Sequence, residues 1–309
     1  MHFIDFGGPR RGSLIVCVHG LAGSAVNWSA IAPLLTARYR VLAPDLAGHG
    51  LTRSGHRGTD VQANRHLLDL FIKSVSDGPV ILMGNSMGGM ISLLEAHAAP
   101  DSVSGLVLID PALPFVPARP DLLVATVFVA GGMPGIGSAL LRGVHKLPPT
   151  VRVARILSLC CQHPSRVPAD VVAQHIEMER SRAGFAEAGH DLGVATRSVI
   201  ATAGLGGHAY RAGIASLTCP VLLIHGARDR LVPVSAARAA ARARPSWSLV
   251  VLPDVGHLPQ LEAPRECTDA IAGWLDGGGR PAALSAAKVT PTPARLSIRR
   301  WQLPRRKRD

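Results

Sequence analysis

The chain has 309 residues, of which 47% are hydrophobic and 17% charged, a balance that suits one large globular domain, or a domain carrying an insertion, and excludes a solvated scaffold. Its net charge of +12 looks like a nucleic-acid signature until it is located: residues 277–309 hold nine Lys or Arg against the single acid Asp309, so +8 sits there and only +4 in residues 1–276. A mildly basic body argues against a specific nucleic-acid partner.

In chain order, MHFIDFGGPRR opens without a long apolar run before its charges, so no secretory signal is expected. Short β-rich apolar runs then alternate with helical patterns, which predicts a mostly parallel α/β sheet flanked by helices. The first strand is 14–18, ending at His19-Gly20. The second is 40–43, followed by PDLAGHGLT. Residues 60–75 read as an amphipathic helix, with Asp60 as N-cap and Leu67, Leu68, Phe71, Ile72 and Val75 on one face. A strand at 80–83 runs into Gly84-Asn85-Ser86-Met87-Gly88, and a helix follows over 88–98. The next strand, 106–109, ends at Asp110. Strands at 221–224 and 248–252 and a helix at 264–275, with proline at its first position, complete the pattern.

Between 112 and 211 the alternation stops and no comparable strand is found, which predicts a helical cap inserted over the site. The core is then 1–111 and 212–276. Within the cap, 122–141 is twenty residues without a formal charge, long enough by count to span a membrane. Gly131, Gly132, Pro134, Gly135 and Gly137 break it, so two short apolar cap elements lining a greasy pocket are expected instead. The segment 277–309, rich in Gly, Pro, Ala and Arg, reads as a disordered basic tail. Weak contact with an anionic membrane surface, through cap or tail, is the partner expectation beside a small-molecule substrate. Cys17, Cys160, Cys161, Cys219 and Cys267 are odd in number and form no C-x-x-C pair, so a reducing, cytoplasmic setting is expected. The adjacent Cys160 and Cys161 read as small buried apolar residues.

The residues that carry chemistry centre on Ser86. A serine hydroxyl needs a base, a group to orient that base, and donors for the oxyanion it creates. Gly84-Asn85-Ser86-Met87-Gly88 is a G-x-S-x-G placed between a strand and a helix. That context exposes the hydroxyl at the carboxyl edge of the sheet, and small residues at 84 and 88 allow the sharp turn.

Five ordered motifs, His19-Gly20 within HGLAGSAVNW, PDLAGHGLT at 44–52, the elbow, IHGARDRLVP at 224–233 and VGHLPQLEAP at 255–264, together resemble the α/β-hydrolase family over residues 13–276. The likeness is to its serine esterase-like branch with an inserted cap. The resemblance implies Asp229 as the triad acid and His257 as the base, in the chain order Ser, Asp, His. Asp110 is the alternative acid, because some members of the family place it there. His257 is preferred among thirteen histidines because Gly256 frees its loop between the last strand and last helix. The rivals read as structural: His225 packed at a strand end, His49 shaping the turn after Asp45, and His19 organising the oxyanion loop. Two backbone N–H groups, of Leu21 and Met87, are expected to form the oxyanion hole, with the side chains of both on the pocket floor.

Neither a G-K-[ST] loop nor H-E-x-x-H nor paired Cys/His spacing is found, so no cofactor and no metal is expected. Serine at 86 also argues against epoxide hydrolase and dehalogenase relatives, which use aspartate there. The expected activity is cleavage of carboxylic esters or thioesters of small to medium hydrophobic substrates through an acyl-enzyme. The alternatives are a C–C bond hydrolase of ring-cleavage products, whose G-N-S-M-G-G elbow is similar, then an acyltransferase or perhydrolase, then a ligand-binding protein that keeps the triad.

Overall fold

The computed structural model describes residues 1–10, 12–114, 147–204, 207–277 and 297–300. Strands β1 (His2–Gly7) and β2 (Leu14–Val18) come first, and the short helix α1 (Ala32–Leu35) leads to β3 (Arg40–Pro44). Helix α2 (Val61–Val75), β4 (Val80–Asn85), α3 (Met87–Ala98) and β5 (Val103–Ile109) then alternate. Helices α4 (Pro149–Cys160), α5 (Ala169–Ser181), α6 (Ala188–Ala203) and α7 (Gly207–Ala215) precede β6 (Val221–Gly226). After these come α8 (Val234–Ala243), β7 (Ser248–Leu252), α9 (Pro259–Glu262), α10 (Pro264–Asp276) and β8 (Ser297–Arg300).

The strands form one sheet in the order β7-β6-β5-β4-β2-β3-β1-β8. Pairing is parallel from β3 through β7 and antiparallel where β1 meets β3 and β8. Period-two alternation sends the side chains of each central strand to opposite faces. Along β4, Val80 and Leu82 join the core under α2 and α3, while Ile81 and Met83 join the one that holds Trp28, Ile271 and Trp274. Both faces are thus dry, which is why these strands read as near-continuous apolar runs. Strand β2 lies between β3 and β4, so the chain turns one way and then the other from it. The carboxyl ends of β2 and β4 flank that switch point, where open α/β sheets place their ligands.

Local sequence accounts for the flanking helices. Asp60 caps α2, its side chain accepting from Gln62 N and Ala63 N at 3.0 Å each. Leu67, Leu68, Phe71 and Ile72 are buried on its inner face. Among the described residues, the interval between β5 and β6 holds helices α4 to α7 joined by loops, and no strand. The uncharged stretch 122–141 lies outside the described residues. No helix among the described residues is long and apolar enough to cross a membrane.

Two strands were not foreseen. Strand β1 pairs as an antiparallel edge of an otherwise parallel sheet, and its short run ends at Gly7 and Gly8, so no strand period could be read from it. The tail expected to be disordered supplies β8, registered on β1 from His2↔Arg300 to Asp5↔Ser297. The physical reason is the outer edge of β1, whose N–H and C=O groups would otherwise lack ladder partners. Residues 278–296 and 301–309 lie outside the described residues.

Candidate active site

At the end of β4 the backbone of Ser86 takes φ 54° and ψ −118°, and α3 starts at the next residue. A non-glycine residue there costs on the order of 1–3 kcal/mol and persists only where its surroundings hold it. Here Ser86 N–H donates to Ile109 O (3.1 Å), and Ala112 N–H donates to Ser86 O (3.0 Å). Glycine is required on both sides. A Cβ at 84 would lie 2.5 Å from the Gly88 carbonyl oxygen, and one at 88 would run into the carbonyls of Val18 and His19. Buried Asn85 donates from Nδ2 to Ile109 O (3.0 Å) and His257 O (3.3 Å), tying the elbow to the loop after β7.

That loop carries His257, which is 3% exposed. Its Nδ1 lies 2.7 Å from Asp229 Oδ2, a pairing that makes Nδ1 the protonated nitrogen and leaves Nε2 as the acceptor. Asp229 Oδ1 accepts from Leu231 N (2.7 Å) and Val232 N (3.0 Å), so the carboxylate is fixed from both ends. Burial alone would raise the Asp229 pKa, but the His257 imidazole and the hydrogen bonds from His225 and His257 outweigh it and hold it well below the usual carboxylate range.

Asp110, the alternative acid, is adjacent. It is fully buried at φ 44°, and its Oδ1 accepts from Gly226 N (3.0 Å). Burial first, and then the neighbouring Asp229 carboxylate, hold its carboxyl well above the usual range. The two carboxyls are thus pulled in opposite directions, Asp229 toward the ionised form and Asp110 toward the protonated one. Asp110, Asp229 and His257 each offer a ligand atom, all within 4.8 Å of one another. A metal ion there would have to displace the Asp229–His257 hydrogen bond, so the donor set suits proton chemistry better.

Of the other buried histidines, His225 shares the two acids, its Nε2 lying 3.3 Å from Asp110 Oδ1 and 3.5 Å from Asp229 Oδ2, while His19 and His49 bond elsewhere. His225 donates from Nε2 to Val232 O (2.9 Å) and is fully buried. His19 donates from Nδ1 to Gly20 O (2.8 Å) and accepts at Nε2 from Leu46 N (3.0 Å), while burial lowers its pKa. His49 donates to Ala47 O (3.0 Å), and burial brings its pKa down to about 3. Asp45 holds the PDLAGHGLT turn, accepting from Ala25 N (2.7 Å) and Leu51 N (2.8 Å).

Gly20 lies against the elbow, for a Cβ there would sit 3.1 Å from the Ser86 Cβ. Leu21 follows it and lines a cavity of about 280 Å³ that Ser86 and His257 also line. Met87 opens α3, and its amide is among the first-turn N–H groups that have no acceptor within the helix. Its side chain departs from expectation: it is 1% exposed and packs into the core rather than the pocket floor. Helices α4, α5 and α6 wall the cavity with Val153, Ile156, Leu157, Met178 and Leu192, and add His175, Thr196 and Glu179. Glu179 is paired with Arg152 Nε at 2.8 Å.

The sequence reading missed Glu262. This buried carboxylate accepts from Gly256 N (2.8 Å), Gln162 N (3.1 Å) and His163 N (2.6 Å). Its partners are main-chain groups, two of them about a hundred positions away, so no pattern of side chains announces it.

With this geometry in place, comparison with known proteins is decisive for the family: the model of the alpha/beta hydrolase fold matches residues 13–264. The chain belongs to that family. It is 30% identical over 269 residues to the pimeloyl-[acyl-carrier protein] methyl ester esterase of Aromatoleum aromaticum, spanning 85% of this chain and 98% of that one. It is 29% identical over 291 residues to the 2-hydroxy-6-oxo-6-(2'-aminophenyl)hexa-2,4-dienoic acid hydrolase of Metapseudomonas resinovorans, with 88% and 90% covered. Among solved structures it is similar to a thermophilic esterase from Thermogutta terrifontis, with TM-score 0.63, 25% identity, and 89% and 92% of the two chains covered. These relatives of the alpha/beta hydrolase fold are hydrolases, and they support a hydrolytic activity for this member of the family.

Proposed function

We propose that the protein is a cofactor-independent serine hydrolase that cleaves esters or thioesters of small to medium hydrophobic acids or alcohols. The observation that carries this reading is the 2.7 Å Asp229–His257 hydrogen bond beside a cavity lined by both His257 and Ser86. Ser86 Oγ attacks the carbonyl carbon as His257 Nε2 takes its proton, and Asp229 holds the imidazole in the right tautomer and stabilises its cation. The oxyanion receives the N–H groups of Leu21 and Met87, each worth roughly a hundred- to a thousand-fold in rate. His257 returns the proton to the leaving alcohol or thiol. Water, activated by the same nitrogen, then releases the acid.

The apolar cap wall favours hydrocarbon, and broad tolerance follows because one methylene discriminates by only about 1–3 kcal/mol. A second reading is C–C bond hydrolysis, favoured by the Metapseudomonas resinovorans relative. That relative's substrate is an acid by name, whereas Glu179 on the described wall already holds Arg152, an arrangement better matched to an uncharged acyl group.

The test is reaction with a fluorophosphonate, mass mapping of the labelled residue, and an acyl-length ester panel. Ser86 should carry the label, and Ser86→Ala should abolish it and lower kcat by about four to six orders of magnitude. Labelling at another residue would end the proposal. Faster bleaching of a dienone substrate than of any ester would move it to the second reading.

A further inference from the structure

We infer that Glu262 is a positioning residue that locks the base His257 to the cap, so that one wall of the cavity and the imidazole form a single rigid piece. The inference rests on the reading above, in which His257 is the base.

Two sets of bonds make the lock. On one side, His257 N–H donates to Cys160 O at 2.6 Å, at the last residue of α4. On the other, the Glu262 carboxylate collects three main-chain donors: Gly256 N (2.8 Å) and Gln162 N (3.1 Å) on Oε2, and His163 N (2.6 Å) on Oε1. Glu262 is 2% exposed, so these bonds are not exchanged for water. The segment 160–163 after α4 is therefore bonded, directly or through the Glu262 carboxylate, to both residues of the Gly256-His257 step.

Space and packing agree with the bonds. A Cβ at 256 would run into Cys160 O, so only glycine lets the two main chains approach this closely. Beneath them, Val153, Leu157 and Cys161 from the cap share a small dry core with Leu258 and Leu261 from the base loop. Leu157 and Cys160 also line the cavity. A substrate that presses on α4 thus presses on the body that carries the proton acceptor. Releasing the carboxylate lets that body shift against Ser86, and a misplacement near 1 Å costs about a hundred-fold.

The experiment uses the full-length chain, with kcat expressed per site titrated by fluorophosphonate. Glu262→Gln keeps the shape and one carbonyl acceptor, and should lose about ten-fold in kcat; Glu262→Ala should lose about a hundred-fold. The loss should fall on kcat rather than KM. In the Asp229→Asn background, where the base is already misoriented, the same substitutions should cost far less than they do alone. A residue that only supports the fold would lower Tm, reduce the titrated fraction and multiply fully with Asp229→Asn. That outcome, or a Glu262→Ala kcat within about two-fold of wild type, would overturn the inference. Should Glu262→Ala not fold, the near-isosteric Glu262→Gln carries the same comparison. Failure of the wild-type chain to be labelled at Ser86 would instead overturn the hydrolase reading, and this inference with it.

Discussion

Asp229 stands against the His257 imidazole, with Asp110 and the His225 imidazole beside it, and their surroundings pull the two acidities in opposite directions. Asp229 accepts from the imidazole and two amides, whereas Asp110 is enclosed with its Oδ2 left without a hydrogen-bond partner among the described residues. In the proposed reading, environment rather than chemical type selects the acid. Asp229→Asn should lower kcat by about four orders of magnitude, because an amide stabilises the wrong tautomer. Asp110→Asn leaves the Asp229–His257 hydrogen bond in place and should stay within about ten-fold. Ester hydrolysis by the two purified variants ranks them directly, and the opposite order would make Asp110 the acid. The sequence prefers Asp229 only through the family resemblance and keeps Asp110 as the alternative, since both residues follow predicted strands.

At the scale of the element, the packing of α2 against α3 holds a third acid out of its usual range. The Glu95 side chain is fully buried, with Arg65 at 2.9 Å and Asp69 nearby. Burial first, and then the Asp69 charge, push its pKa up to about 7 despite Arg65. A carboxyl whose folded pKa exceeds its unfolded value, near 4.3, binds more protons when folded, so stability falls as pH rises. The window runs from about 4.5 to about 7. Glu95→Gln should remove that slope: relative to wild type, its urea midpoint should improve between pH 5 and pH 8. An unchanged difference across this range would mean that Glu95 is ionised throughout. The helix bounds themselves were close to legible, because the apolar face of α2 and its Asp60 cap are both local features. Burial of Glu95 was not, because it depends on which helix lies opposite.

For the whole molecule, the strands buried on both faces were the readable part, and the edges were not. Strand β1 and its partner β8 gain their order from pairing across the full length of the chain, and no local period encodes that. The four-helix interval α4 to α7 was legible as strand-free, yet the way it seats on the base loop depends on main-chain contacts at 160–163. Ending the chain after Asp276 removes β8 but none of the described residues that line the cavity. Esterase kcat/KM of the truncated protein should stay within about two-fold, while the bared edge of β1 promotes self-association. Light scattering beside the kinetic assay checks both, and a collapse of activity would show that the tail supports the site.

The positive φ of Ser86 has a consequence for evolution under heat. A glycine at that position would relax the turn, and at a strain of about 1–3 kcal/mol this relief outweighs the roughly 0.5–1 kcal/mol of extra chain freedom glycine brings. Ser86→Gly should therefore melt at a higher temperature than Ser86→Ala, which keeps the Cβ. The inert protein would be the more durable one, and selection for robustness alone would drift toward silencing it.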